Sequence, residues 1–161
     1  MRRCLVLAVA LWGLLPAGLF ADASAPLLPL LVELPGWEGN EAEGFDMSAS
    51  GARAVMASRS YESGDKSLDV TILFGIQAQT AWNPGYKEGF KVENPGGVME
   101  VRRIDGFLVY YTFDNSDTSA GVVVLLHEGP QGSDTGGVLV LSFDGVPLDD
   151  ALKIAQKYDL P

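Results

Sequence analysis

Apolar and polar residues alternate along most of the chain from Phe45 onward, which is the pattern of half-buried strands. The clearest run is "KSLDVTILFGI", residues 66–76, whose predicted buried face consists of Leu68, Val70, Ile72, Phe74 and Ile76. Successive side chains of a strand point to opposite sides, so a period of two predicts one buried and one exposed face. Residues 52–62 are also strand-like, and the turn at 63–66 completes a predicted hairpin.

Further apolar runs follow, each separated from the next by turn residues. A short strand over 90–94 precedes the turn from Asn94 to Gly97, and the runs 98–104 and 107–113 flank Asp105-Gly106. An Asp-Gly pair between two alternating runs is a strong hairpin signal. The runs 121–128 and 138–143 are apolar almost throughout, and they predict neighbouring strands that are buried on both faces.

Helical patterns occur only near the two ends of this strand-rich region. Residues 26–37, "PLLPLLVELPGW", predict a short helical segment that lies on the body, because an exposed row of leucines would be avoided. Residues 146–160 predict a final helix, with Pro147 in its first turn. Its apolar stripe consists of Leu148, Ala151, Leu152, Ala155 and Tyr158. We expect this stripe to cover the last strands at Val138, Val140 and Phe143.

The order of these elements predicts an α+β domain. We expect an antiparallel, meander-like sheet of about six to eight strands. A C-terminal helix and a short N-terminal helical segment are expected to pack on it.

The first residues have the organisation of a secretory signal peptide. Two arginines precede the apolar run from Cys4 to Phe20, and small residues follow it. We expect a leader over residues 1–23, with cleavage after Ala23, or alternatively after Ala25, and a single domain over 24–161. An uncleaved membrane anchor is the alternative, but Pro16 and Gly18 interrupt a run that is short for a span.

Cysteine usage and charge restrict the compartment and the partners. Cys4 is the only cysteine and would leave with the leader, so we expect no disulfide and a bacterial periplasmic or secreted protein. The chain has 11 basic and 21 acidic residues, a net charge of −10, which disfavours nucleic acid and anionic membrane surfaces. We expect a protein partner or a small amphipathic ligand, and no stable membrane insertion after cleavage.

The sequence offers little catalytic chemistry. His127 is the sole histidine, so a zinc site built from histidine and cysteine is excluded, and no G-x-S-x-G motif accompanies it. The glycine-rich stretch 129–137 leads into a strand and lacks the lysine that a phosphate loop needs. We therefore predict no catalytic residue, no metal site and no cofactor.

One aromatic loop and one hairpin supply the candidate binding residues. In "AWNPGYKEGF", residues 81–90, Pro84 and two glycines break the helix that would otherwise align the rings of Trp82, Tyr86 and Phe90. The predicted hairpin places two charged residues on an apolar face with Tyr111. Two interpretations apply to six candidate binding residues: Trp82, Tyr86, Phe90, Glu100, Arg102 and Tyr111. We favour the interpretation that the rings are core cover and that the charges form an edge pair reaching water. The alternative is a binding pocket with an aromatic wall and a polar floor.

A leader, the motif "PGW", a long meander and a final strand running through "FDG" into "PLDDALKIAQKYD" resemble small exported bacterial α+β proteins of the Mog1/PsbP-like kind. This resemblance implies an accessory or assembly role. The first hypothesis is a non-catalytic exported binding domain that acts at the cell envelope through a protein partner. The alternative is a periplasmic carrier or sensor of a small amphipathic ligand, and a carboxylate-dependent hydrolase is third. A carrier would enclose several hundred Å³, whereas an interaction domain would expose an apolar patch.

Overall fold

The structure, a computed structural model of the 161-residue chain, describes residues 23–48, 51–82, 87–129 and 135–158. The predicted leader, apart from Ala23, and the candidate site residue Tyr86 lie outside the described residues.

The described residues form nine strands, two α-helices and one short 3-10 helix. The strands are Glu38–Gly39 (β1), Glu43–Asp46 (β2), Ala54–Ser63 (β3), Lys66–Gly75 (β4), Lys91–Asn94 (β5), Gly97–Ile104 (β6), Phe107–Asp114 (β7), Ser119–His127 (β8) and Gly137–Asp144 (β9). The helices are the 3-10 helix Leu28–Leu30, Ile76–Ala81 (α1) and Leu148–Ala155 (α2). This arrangement confirms the predicted α+β class.

All strand pairs are antiparallel and belong to one open sheet. Its order is β1, β3, β4, β9, β8, β7, β6 and β5, and β2 lies beside β1 along the same edge of β3. The predicted hairpins at 63–66, 94–97 and 104–107 are all present. Each has a two-residue loop, and in the last of them both Asp105 and Gly106 have positive φ, as a type I′ turn requires. The insertion of β9 between β4 and β8 is the long-range pairing that local pattern could not reveal.

The chain leaves β4 differently from the prediction. Ile76 was expected on the buried face of this strand, but the strand ends at Gly75 and Ile76 begins α1, where it is exposed. Gly75 has φ +89°, and a Cβ there would collide with the carbonyl oxygen of Arg53. Glycine therefore permits both the turn and the close approach of β3.

β1 and β2 form an interrupted edge along β3. β1 pairs with Tyr61 and Glu62, whereas β2 pairs with residues 55–58, and three residues of the edge face two of β3 in between. Asn40 fills this bulge, because its backbone N–H donates to Ser60 O (3.0 Å) and its side-chain oxygen accepts from Ser60 N (3.0 Å). Such a bulge interrupts the regular row of backbone groups that an edge strand offers to other chains.

One face of the sheet, called here the covered face, is closed by the N-terminal segment 23–34 and by α2. Its buried apolar strand residues are Ala57, Tyr61, Leu68, Val70, Ile72, Val109, Tyr111, Ala120, Val122, Val124, Leu139, Leu141 and Phe143, and Val98 and Ile104 of β6 pack against them. The expected stripe of α2 packs here. The expectation that it covers Val138 and Val140 is wrong, because these residues alternate with Leu139 and Leu141 and point to the opposite face.

Arg59 of β3 holds the N-terminal segment on this face. Its guanidinium donates to Leu31 O (3.1 Å) and Asn40 O (2.8 Å) and pairs with Glu33. At the start of the segment, Ser24 has no exposed surface and its carbonyl accepts from Leu27 N (2.8 Å). A Cβ at Gly44 would collide with Ser24, so glycine allows the segment to lie directly on β2.

The opposite face, called here the α1 face, is covered by described residues at one end. There α1 and Trp82 pack over Val101, Val123 and Val138. Away from α1, each successive row of neighbouring strand residues is more polar. The first row includes Thr71, Val140 and Tyr110, the second includes Asp69, Ser142 and Thr112, and the third includes Glu62, Asp144 and Asp114. Neither α-helix of the described part is long and apolar enough to cross a membrane.

Candidate functional site

The structure separates the residues of the predicted pocket. Glu100 and Arg102 alternate with Val101 on β6, and Val101 belongs to the α1 face together with Trp82. Both charged residues and Tyr111 therefore lie on the covered face, while Trp82 lies on the other side of the sheet. One pocket with Trp82 as wall and Glu100, Arg102 and Tyr111 as floor does not form, and that prediction is wrong.

On the covered face, Glu100 and Arg102 both contact Tyr111. The Tyr111 hydroxyl donates to Glu100 Oε2 at 2.6 Å, and the Arg102 guanidinium lies 5.2 Å from the centre of the Tyr111 ring. Burial and the hydrogen bond to Glu100 raise the pKa of Tyr111 to about 12. Tyr111 itself is buried and Arg102 is exposed. β6 lies between β5 and β7, so these residues are not at an edge of the sheet, and the described contacts join each charged residue to Tyr111.

Trp82 is part of the packing of the α1 face. It caps the C-terminus of α1, its N–H donates to Ala78 O (3.0 Å), and the residue is 7 % exposed. Its neighbours are the buried side chains beneath α1, including Val101 and Val138. This position agrees with the favoured interpretation that Trp82 is core cover.

A small pocket lies beside α1 at the ends of β8 and β9. Its volume is about 180 Å³, and its lining includes Gln79, Trp82, Leu125, His127, Glu128 and Val138. The apolar lining comes from packed residues of the α1 face, whereas His127 and Glu128 are exposed at its rim. Within the described ranges, no three histidine, cysteine or acidic residues are grouped as a metal site would require. The pocket can therefore take a small apolar group beside two polar ones.

A second feature of the α1 face is an apolar corner, defined here as Phe45, Met47 and Ile76. These three side chains are between 42 % and 49 % exposed. Phe45 lies opposite Met56 on β3, and Met47 continues the pairing, with its N–H donating to Ala54 O (2.8 Å). The Met47 sulfur is 3.9 Å from Gln77 Nε2, which joins β2 to the first turn of α1. The corner is thus a junction of three elements.

Sequence reasoning missed the apolar corner for two reasons. It placed Ile76 in the core by extending the alternation of β4 past Gly75. It also overlooked the alternation of Phe45, Asp46 and Met47, which is short but strand-like and puts two large apolar residues on one side. The alternation over residues 45–47 was therefore the sequence signal that could have identified the apolar corner.

Phe90 lies at the other edge of the sheet. Its carbonyl accepts from Val101 N (2.8 Å), and it is 40 % exposed beside Val92, which is 47 % exposed. Phe90 is thus less covered than Trp82, although the sequence grouped the two rings in one loop. The six predicted residues therefore fall into three places: Trp82 under α1, Phe90 at the β5 edge, and the Tyr111 cluster on the covered face, with Tyr86 outside the described residues.

Comparisons of the chain with protein-family models, with curated proteins and with solved structures find no match. The resemblance to Mog1/PsbP-like proteins therefore stays a prediction about organisation. The function must be argued from the surface of this molecule.

Proposed function

We propose that the protein is an exported, non-catalytic binding domain that acts at the bacterial cell envelope through a protein partner. The partner would bind at the apolar corner. The observation that carries this proposal is the exposure of three large apolar side chains, Phe45, Met47 and Ile76, at one junction of the fold. Exposed apolar side chains that adjoin one another are typical of interaction sites, whereas single ones are common on any surface.

The surroundings of the corner favour a protein over a lipid surface. Glu43 precedes Phe45 on the same side of β2, and the whole chain has a net charge of −10. An apolar centre with a polar residue at its edge resembles the central patch and polar rim of protein interfaces. Anionic lipid head groups would be repelled by the net negative charge of the chain.

The size of the pocket beside Trp82 argues against a carried ligand at that place, and the larger recesses of the described residues, of about 390–540 Å³, are surface grooves near β5, β6 and α2. Sites for small molecules have volumes of about 300–1,000 Å³ and bury most of the ligand. The pocket beside Trp82 has a volume of about 180 Å³, and two exposed polar residues stand at its rim. It is better suited to one side chain of a partner than to a whole amphipathic ligand.

The experiment uses site-specific photo-crosslinking in cells that export the protein. A photoreactive residue at Met47 should trap one defined protein, whereas the same residue at exposed Val32, on the opposite face, should not. A photoreactive residue at the neighbouring position Gln77 should trap the same protein. The variant Phe45→Ser/Met47→Ser/Ile76→Ser should abolish this Gln77 crosslink. Val32→Ser is the matched control and should leave it unchanged.

The stability of the variants decides how a loss is interpreted. Because the three side chains are substantially exposed, the triple variant should melt within a few degrees of wild type, as surface changes usually do. A triple variant that keeps its melting temperature and also keeps the partner would contradict the proposal. Equal crosslinking from Met47 and Val32 would contradict it as well.

A further inference from the structure

The outer side of the edge strand β5 pairs with no other strand of the described residues, so its backbone N–H and C=O groups on that side can bond to another strand. All four of its residues, Lys91 to Asn94, are exposed, and β6 pairs with only one side of the strand. The register with β6 is continuous from Lys91 to Asn94, and the bulge of this edge lies before β5, where Gly89 N and Phe90 O both bond to Val101. A regular exposed edge can accept another strand.

The internal pairing identifies which backbone groups point outward. Phe90 O accepts from Val101 N (2.8 Å), which makes Phe90 a residue that bonds toward β6. Bonding alternates along an antiparallel strand, so Val92 and Asn94 also bond toward β6. The N–H and C=O groups of Lys91 and Glu93 therefore point away from the sheet. A second strand must pair with these two residues.

The charges on β5 select both the partner and the register. Lys91 and Glu93 lie on the same face of the strand, and their side chains form an ion pair with an N–O distance of 2.7 Å. If a second β5 approaches in the antiparallel direction with Val92 opposite its own copy, each Lys91 faces Glu93 of the other chain. A shift of two residues would instead place Lys91 opposite Lys91, or Glu93 opposite Glu93, which is unfavourable.

We propose that two copies of this protein associate through their β5 edges in the register that opposes Lys91 to Glu93. The outward N–H and C=O groups of both residues then form four inter-chain hydrogen bonds around a two-fold axis at Val92. The alternating charges form a closed group of two lysines and two glutamates. On the α1 face, the exposed side chains of Phe90 and Val92 from both copies form one apolar cluster.

The dimer is expected to be weak and dependent on concentration. Pairing of two four-residue strands lies at the low end of interface sizes, below the roughly 1,200–2,000 Å² of stable complexes. Sedimentation of the protein recovered from exporting cells, from about 10 μM to about 1 mM, should show a monomer giving way to a dimer. A protein that stays monomeric over this range at low salt would overturn the proposal.

Charge reversal tests the register. Lys91→Glu and Glu93→Lys each oppose like charges twice, so each should weaken self-association by about tenfold or more. The exchange Lys91→Glu/Glu93→Lys restores opposite charges and should restore the dimer. Lys153→Glu on α2 is the matched control, since it makes the same change of charge at an exposed position away from β5. Equal association of all these variants would overturn the register.

A mixing experiment separates this interface from a general effect of net charge. The Lys91→Glu variant presents two acids at the edge and the Glu93→Lys variant presents two lysines. Each should be monomeric alone, and an equimolar mixture should form a heterodimer. In a Cys4→Ser background, Val92→Cys should also form an inter-chain disulfide, because Val92 faces its own copy. Absence of both the heterodimer and the disulfide would refute the proposal.

Discussion

The two faces of the sheet bury their apolar side chains to different extents. The covered face carries large aliphatic and aromatic side chains on six strands, and the chain closes it from both ends, with residues 23–34 and with α2. Among the described residues, the α1 face is closed by the six-residue helix α1 and Trp82, and its remaining rows are mostly small, polar or acidic. Full burial is thus concentrated on one side, while the other side keeps solvent-exposed apolar residues at the corner of Phe45, Met47 and Ile76.

This difference separates the residues that stabilise the fold from those that the proposed partner would contact. Free energy of folding comes mainly from apolar surface that is fully removed from water, at roughly 25 cal/mol per Å². A side chain that stays half exposed contributes less to folding and is available to a partner. Substitutions should therefore affect the two faces unequally.

The largest effect should come from removing α2. Truncation before Pro147 exposes the strand residues beneath Ala151, Leu152 and Tyr158, and each large buried side chain contributes on the order of 1.5–3 kcal/mol. Because domain stability is only about 5–15 kcal/mol, the truncated chain should not fold. Circular dichroism and thermal melting measure this, with Lys153→Ala as a control in the same helix. A cooperative melt near the wild-type temperature would show that α2 is dispensable.

Trp82→Ala should be the most damaging single change on the α1 face. The ring is 7 % exposed, and its loss should cost about 3 kcal/mol, the lower end for a buried tryptophan. Phe90→Ala is the matched control, because this ring is 40 % exposed and should cost within about 1 kcal/mol. Chemical denaturation of both variants makes the comparison. Equal losses would mean that the α1 face is no less covered at the β5 edge than under α1.

The sequence could predict the elements whose signals are local. Asp105-Gly106 identified a hairpin, and the alternation from Leu68 to Phe74 identified the buried face of β4. The apolar stripe of α2 was also readable, because eight residues cover two helical turns. In each case the turn chemistry or the period determines the structure without help from distant residues.

The remaining features depend on distant contacts. α1 has only six residues, too few for a helical period, and its start depends on how Gly75 meets Arg53. β1 has two residues and exists only because β3 lies beside it. The predicted pocket was wrong for a related reason, since a loop can return to either side of a sheet, and no local pattern indicated that Trp82 would cross to the α1 face.

Tyr111 offers a pH-dependent test of the covered face. Burial and Glu100 raise its pKa to about 12 from an ordinary value of 10.0, so the folded state holds the phenol proton more tightly than the unfolded state. Its contribution to stability should be complete below pH 10 and should be lost as the pH rises from 10 to 12. Denaturation across this range should show a shallower decline for Tyr111→Phe. Tyr110→Phe is the neighbouring control, because Tyr110 lies on the α1 face. An unchanged slope in Tyr111→Phe would contradict the prediction.

The smallest effect on stability should come from the apolar corner. Phe45→Ser should change the free energy of unfolding by about 1 kcal/mol or less, because the side chain is already 42 % exposed. A loss comparable to that of Trp82→Ala would mean that the corner belongs to the core. It would also remove the distinction between the two faces on which the proposed partner site rests.

If the predicted leader is removed after Ala23, the burial of Ser24 sets an order of events for that cleavage. Its carbonyl is bonded to Leu27 and its side chain lies against Gly44, so the bond between Ala23 and Ser24 adjoins the folded body. Peptidases cut accessible, extended chain. A leader removed after Ala23 must then be cut before the N-terminal segment docks. Pulse-chase labelling tests this, because Arg59→Ala should delay docking and raise the cleaved fraction, and an unchanged or lower fraction would contradict it. Folding would thus limit the time during which the precursor can be cleaved.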